Sequence, residues 1–187
     1  MAKFFGNLHA VVAAALVLAV LLIAGIAPNG DAIAAIFRWL HLTFGVMWIG
    51  LLYYFNFVQM PTMPKIPAEL KPAVGKFIAP AALFWFRWAA AATVVTGLII
   101  AIQAGYAHQA FTMQPGFQLI GVGMYLALIM AFNVWFVIWP AQKRALGIVE
   151  ADDATKAASA TRAMMFSRVN TILSLAMFYA MVNFNGG

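Results

Sequence analysis

A chain of 187 residues that is 65% hydrophobic and only 9% charged falls far outside soluble domains, in which about a quarter of residues are charged. The net charge of +6 would suit a nucleic-acid partner, but the cations cluster between long apolar runs, which excludes a nucleic-acid footprint and points to membrane topology. Cysteine is absent, so disulfides, thiolate metal sites and covalent c-type haem are excluded.

Apolar windows fall at about 9–27, 32–57, 79–103, 117–139 and 166–184. Each is near or above the ~20 residues that cross a hydrocarbon core. The expected fold is therefore all-α: a single integral membrane bundle of five transmembrane helices over residues 1–187. The first window follows Lys3 and is longer than the roughly 7–15-residue core of a signal peptide, so it reads as a retained helix. "APNGDA" (27–32) separates it from the second.

The second and third windows are joined by "QMPTMPKIPAELKPAVGK" (59–76). Its prolines forbid a regular helix, which predicts a loop over 58–78. "AGYAHQAFTMQPG" (104–116) follows the third window. "AQKRALGIVEADDATKAASATRAM" (141–164) belongs to a second long loop, 140–165. A short surface helix is expected over 150–164, where Glu150, Asp152 and Asp153 precede Lys156 and Arg162 in the order that suits a helix dipole.

Lys3, Lys65, Lys71, Lys76, Lys143, Arg144, Lys156, Arg162 and Arg168 all fall on one side of a five-span arrangement. By the positive-inside rule that side is cytoplasmic, with the N-terminus inside and the C-terminus outside. The same surplus would attract anionic lipid.

Two cations remain, Arg38 and Arg87, both within spans. "FRWLHLTFGVMWIGLLYYFNF" (37–57) carries Arg38 and His41 on one helix face. At ~1.5 Å per residue they lie ~9 Å and ~14 Å into the second span. Arg38 can reach outward, toward Asp31. Gly45 and Trp48 follow His41 at successive turns. That pattern suits a b-type haem: imidazole on iron, glycine under the macrocycle, an aromatic at its edge and arginine for a propionate. His41 is thus the candidate metal ligand, with Arg38, Gly45, Trp48 and Arg87 as candidate cofactor contacts. The plainer alternative is a histidine that hydrogen-bonds a neighbouring helix; a quinone, metal or proton-relay role also stays open.

His9 lies too far along the membrane normal to share a haem with His41, whereas His108, in the outer loop after the third span, could fold inward toward it. No three His, Asp or Glu residues converge in a span, so no zinc or copper site is readable. "LFWFRWAA" (83–90) places Arg87 between Trp85 and Trp88, as in an interfacial aromatic belt or an anion contact. Asn133, Arg168, Asn170, Thr171 and Ser174 are expected to hydrogen-bond between helices. The spans lack the deep carboxylate that proton-coupled transport or carboxylate catalysis would need.

"HLTFGVMWIGLLYYFNFVQMP", "FWFRWAA" and "NVWFVIWPAQKRALG" resemble, in order, the membrane domain of PuuD-type urate hydroxylases, the urate oxidase N-terminal family. The likeness runs from about residue 35 to 185. The "H…G…W-I-G" stretch resembles, more faintly, HemJ- and CopD-type membrane proteins. The resemblance implies a multi-pass redox domain in the bacterial inner membrane, with His41 as haem ligand and Arg38 beside it. In longer relatives this domain is linked to urate oxidation and a cytochrome c tail. This sequence has no C-x-x-C-H to carry such a haem and no evident base for urate. Two readings follow: a redox module holding haem b and acting beside an electron-transfer partner, or a cofactor-free accessory subunit packed against a larger membrane complex. Both place membrane lipid and another membrane protein among its partners.

Overall fold

The computed structural model describes residues 1–26 and 32–184. Asp31, the residue toward which Arg38 was expected to reach, lies outside the described residues. The chain is all-α, with no strand among the described residues. Among the described residues five helices are long and apolar enough to cross a membrane: α1 (Leu8–Ile26), α2 (Ala32–Lys65), α3 (Lys71–Gln103), α4 (Gln118–Ala145) and α5 (Asp153–Val182). Helices α2 and α3 pack side by side, as do α4 and α5, and further contacts join the two pairs.

Four helices make the core and one stands apart. Helix α1 contributes no buried residue. The core is built from Trp48, Leu52 and Phe55 of α2, Leu83, Phe86 and Ala90 of α3, Met130, Val134 and Ile138 of α4, and Ala163 and Met177 of α5. On α2, α3 and α4 these recur at three- and four-residue spacing, which keeps them on one face.

The buried faces also carry polar side chains: Thr93, Thr96, Asn133, Ser159, Ser167, Asn170 and Ser174. Lipid is as apolar as leucine, so helices in a bilayer gain little from hiding leucines; close packing and hydrogen bonds hold them instead. Asn133 Nδ2 donates to Asn170 Oδ1 at 2.9 Å, and Asn170 Nδ2 donates to the Met130 carbonyl at 3.0 Å. Tyr53 Oη donates to Ser174 Oγ at 3.0 Å, while Ser174 donates to the Thr171 carbonyl at 2.8 Å. Asn56 Nδ2 reaches Ser167 Oγ at 2.8 Å. These bonds fix α5 against α2 and α4. Gly123 lets α4 and α5 close up, since a Cβ there would stand 3.0 Å from the Ala180 Cβ.

The helices extend beyond the apolar windows. The expected loops 58–78 and 140–165 shrink to 66–70 and 146–152, because α2, α3, α4 and α5 run on past the windows. The surface helix expected near 150–164 is the first half of α5, continuous with the spanning part. Past the lipid boundary water can solvate polar side chains, so a helix need not stop where its apolar run stops. At about 1.5 Å per residue, the 30 residues of α5 exceed a hydrocarbon core of about 30 Å.

Some prolines are absorbed within helices, whereas Pro67 lies in the break between α2 and α3. Among the described residues three π-helical turns occur, at Tyr54–Gln59, Val74–Ile78 and Asn133–Ile138. Each lies just before a proline: Pro61, Pro80 and Pro140. A proline has no N–H to donate and its ring collides with the carbonyl four residues back. Widening the preceding turn relieves that collision while the helix continues. All three turns lie at the end of the bundle that carries Lys65, Lys71, Lys76 and Lys143.

At the opposite end, the connection from α3 to α4 folds back over the bundle. Its short helix Ala107–Phe111 lies so close to α4 that a Cβ on Gly121 would collide with the Ala110 carbonyl oxygen. Tyr125 Oη donates to the Phe111 carbonyl at 2.8 Å. Ala101, Ala110, Ile120 and Met124 form a second small core there.

Candidate functional site

His41 projects from α2 onto α3. Its Nδ1 lies 2.9 Å from the Thr93 carbonyl oxygen. A carbonyl only accepts, so Nδ1 carries the proton and donates. The Thr96 hydroxyl lies 3.3 Å from the same nitrogen. That hydroxyl spends its own proton on the Ala92 carbonyl at 2.7 Å, so its oxygen is free to accept a share of the Nδ1 proton. Two acceptors on α3 therefore fix the tautomer and the ring plane. In the neutral ring Nε2 is then an acceptor, and it has no hydrogen-bond partner among the described residues.

The ring fits there because residue 97 is glycine. A Cβ on Gly97 would stand 2.8 Å from His41 Cε1 and 3.1 Å from Nδ1. Thr93 and Gly97 are four residues apart, hence on one face of α3, with Thr96 beside them. "TVVTG" (93–97) is thus the seat of the histidine, and sequence reading did not single it out. The available signal was two hydroxyl residues and a glycine on one face of an apolar span.

His41 forms part of the wall of a partly open cavity of about 210 Å³. Val94, Leu98 and Ile100 of α3, Ile120, Met124, Ala127 and Leu128 of α4, and Met181 after them on α5 make it largely apolar. Tyr106 and Phe184 line it too, and their rings pack at 5.1 Å between centroids. Burial raises the Tyr106 phenol above its ordinary pKa, so it stays protonated and able to donate at neutral pH.

The other candidate residues do not join this cavity. Arg38 is exposed and borders a separate hollow of about 150 Å³ with Ala34, Ile100, Gln103 and Ala104. Gly45 faces α3, where a Cβ would sit 3.8 Å from Thr93 Cγ2, so the neighbouring helix fills the space beside it. Trp48 is fully buried in the core, and its Nε1 has no partner among the described residues. Arg87 stacks on Trp139, with its guanidinium carbon 3.3 Å from the ring centroid. Six residues separate Arg87 from Thr93, about 9 Å along the helix. Trp135 Nε1 donates to the Arg87 carbonyl at 3.1 Å. His9 and His108 are both exposed, and His108 is not among the residues lining the cavity. Among the described residues no three His, Asp or Glu side chains group to hold a metal ion.

The donor fits a haem iron better than the cavity fits a haem. A ligating histidine commonly donates Nδ1–H to a backbone carbonyl and presents Nε2, as His41 does. Drug-sized ligands occupy pockets of about 300 Å³ and upward, and a four-pyrrole macrocycle is larger than the smallest of these. The space against Gly97 is taken by the imidazole itself.

Fold and site together define a multi-pass α-helical membrane protein with a single histidine set in an apolar cavity. Residues 98–185, just under half of the chain, match the family model described as urate oxidase N-terminal. Over the end of α3, all of α4 and all of α5, this bears out the resemblance read from sequence; His41 lies outside the matched segment. No curated protein and no solved structure gives a match.

Proposed function

We propose that this chain is a membrane-embedded ligand-binding module of the urate oxidase N-terminal type, and that its working centre is the His41 cavity. The observation that carries the reading is the division of labour on the imidazole: Nδ1 is committed to α3 while Nε2 is left unpaired in a histidine that borders an apolar cavity. A histidine serving only to join two helices would need no cavity beside it. The basic end of the bundle reads as cytoplasmic, in a bacterial inner membrane, with the C-terminus outside.

The test is uptake of a small ring by the purified protein. Fluorobenzene followed by ¹⁹F NMR is expected to show a saturable bound signal that Ala127→Leu weakens. A signal that never saturates would overturn the reading. The absorption spectrum separates this reading from the haem b reading: a Soret band from the purified protein would replace the small-ligand site with a haem, and we expect none.

One observation favours a second role as a subunit of a larger membrane complex. None of the 19 residues of α1 is buried against the rest of the chain. Extraction from native membranes in a mild detergent, followed by native mass measurement, would report a single chain if this role is wrong.

A further inference from the structure

Resting on the His41 cavity as a ligand site, we propose that its ligand is a hydroquinone: one para-dihydroxylated ring with its hydrocarbon tail left in the lipid. Size is the first argument. An apolar cavity of about 150 Å³ takes up benzene, so about 210 Å³ holds one substituted ring and is small for a macrocycle or a sterol.

Polarity is the second. Two residues lining this apolar cavity carry a polar side-chain atom with no hydrogen-bond partner among the described residues: His41 at Nε2 and Tyr106 at its hydroxyl. The Thr93 hydroxyl, by contrast, is engaged with the Ala89 carbonyl at 2.7 Å. His41 accepts through Nε2, because its Nδ1 proton is held by α3. Tyr106 can donate. The two come from different elements, α2 and the connection that follows α3. A ligand with a hydroxyl for one and an oxygen for the other satisfies both, and a para-dihydroxylated ring carries these at opposite ends. A fatty acid or a phosphate would need a cation, and the cavity wall has none; Arg38 borders the neighbouring hollow. Met124 and Met181 supply thioethers, which pack well against aromatic rings.

The arrangement also predicts which redox form binds. A hydroquinone offers O–H to Nε2, whereas the oxidised quinone has only acceptors and would leave Nε2 unpaired. One hydrogen bond of this kind corresponds to about a tenfold difference in affinity.

The probes are duroquinol, duroquinone and toluene, titrated into the detergent-solubilised full chain. Duroquinol should bind about tenfold more tightly than duroquinone. His41→Leu should abolish that preference, and Tyr106→Phe should weaken both forms. The wild-type chain labelled with [¹⁵N]histidine gives a readout independent of how variants fold: duroquinol, but not toluene, should move the unprotonated nitrogen of His41. His9 and His108, both exposed, serve as internal controls. Toluene binding with no preference for duroquinol, or with a stationary His41 signal, would overturn the hydroquinone and leave the cavity as a ligand site. Failure of all three probes to bind would overturn both.

Discussion

Gly97 shows how one missing methyl group shapes this site. A Cβ there would press on Cε1 and Nδ1 of His41 at 2.8 and 3.1 Å, closer than van der Waals contact allows. Gly97→Ala must move the ring away from Thr93 or push α2 from α3. Overpacking of this kind costs about 1–3 kcal/mol, so the variant should melt at a lower temperature and lose ligand affinity. Gly45→Ala is the control: its Cβ would meet Thr93 Cγ2 at an ordinary 3.8 Å, and alanine has the better helix propensity. A thermal melt in which both variants match the wild type would show that Gly97 does not seat the ring. The spacing along the chain pointed to Gly45 as the glycine beside His41; the glycine packed against the ring is Gly97. Gly45 is visible beside His41 along the chain, but Gly97 is brought there only by the register of α2 against α3. That register depends on packing between residues more than 50 positions apart, which no local spacing encodes.

Helix boundaries were legible where chemistry changes sharply and illegible where it does not. Asp152 accepts from the Thr155 amide at 2.8 Å and from the Thr155 hydroxyl at 2.7 Å, an N-cap that starts α5. Sequence reading placed the acidic cluster at the head of a helix for the right electrostatic reason, but treated that helix as separate from the fifth span. No proline or glycine interrupts 153–182, and the polar first half changes only where the helix lies, not whether it forms. The hydrogen bonds from Thr155 hold the Asp152 carboxyl below its ordinary pKa. The folded state thus favours the ionised form. This contribution is present above the unfolded pKa and is lost as pH falls through the lower, folded value. Asp152→Ala should speed amide exchange at Thr155 at neutral pH, and the gap between variant and wild type should close in acid. Equal exchange rates at neutral pH would remove Asp152 as the cap. The prolines of 59–76 were read as forbidding a regular helix, and the helix does break at 66–70, around Pro67; before Pro61, and likewise before Pro80 and Pro140, the chain widens one turn and continues.

For the whole molecule, the five spans were legible because a run of about 20 apolar residues has few other uses. Orientation can be tested directly because the chain has no cysteine, so single-cysteine variants carry no background. His108 and Ala154 are exposed at opposite ends of the bundle. A membrane-impermeant thiol reagent added to intact cells should label His108→Cys and leave Ala154→Cys unmodified. The reverse pattern would invert the topology. The division into four packed helices and one outlying helix was not expected, yet α1 carries a trace of it. "LHAVVAAALVLAVLLIAGI" has no asparagine, serine, threonine or tryptophan with which to bond a neighbour. Helices α2 to α5 all have such residues, and they use them.

The isolation of α1 has a mechanical consequence. A membrane protein pulled from one end yields in steps, and each step removes a unit whose internal contacts break together. Helices α2 to α5 are cross-tied by the His41, Asn133–Asn170 and Tyr53–Ser174 bonds, whereas α1 shares no buried side chain with them. Stretched from its N-terminus by an atomic-force cantilever, the chain should release α1 first, in a separate low-force event of about one helix in contour length. The remaining four should then resist as one block at higher force. Extraction of α1 together with α2 in a single rupture would mean that the two act as one unit in the bilayer.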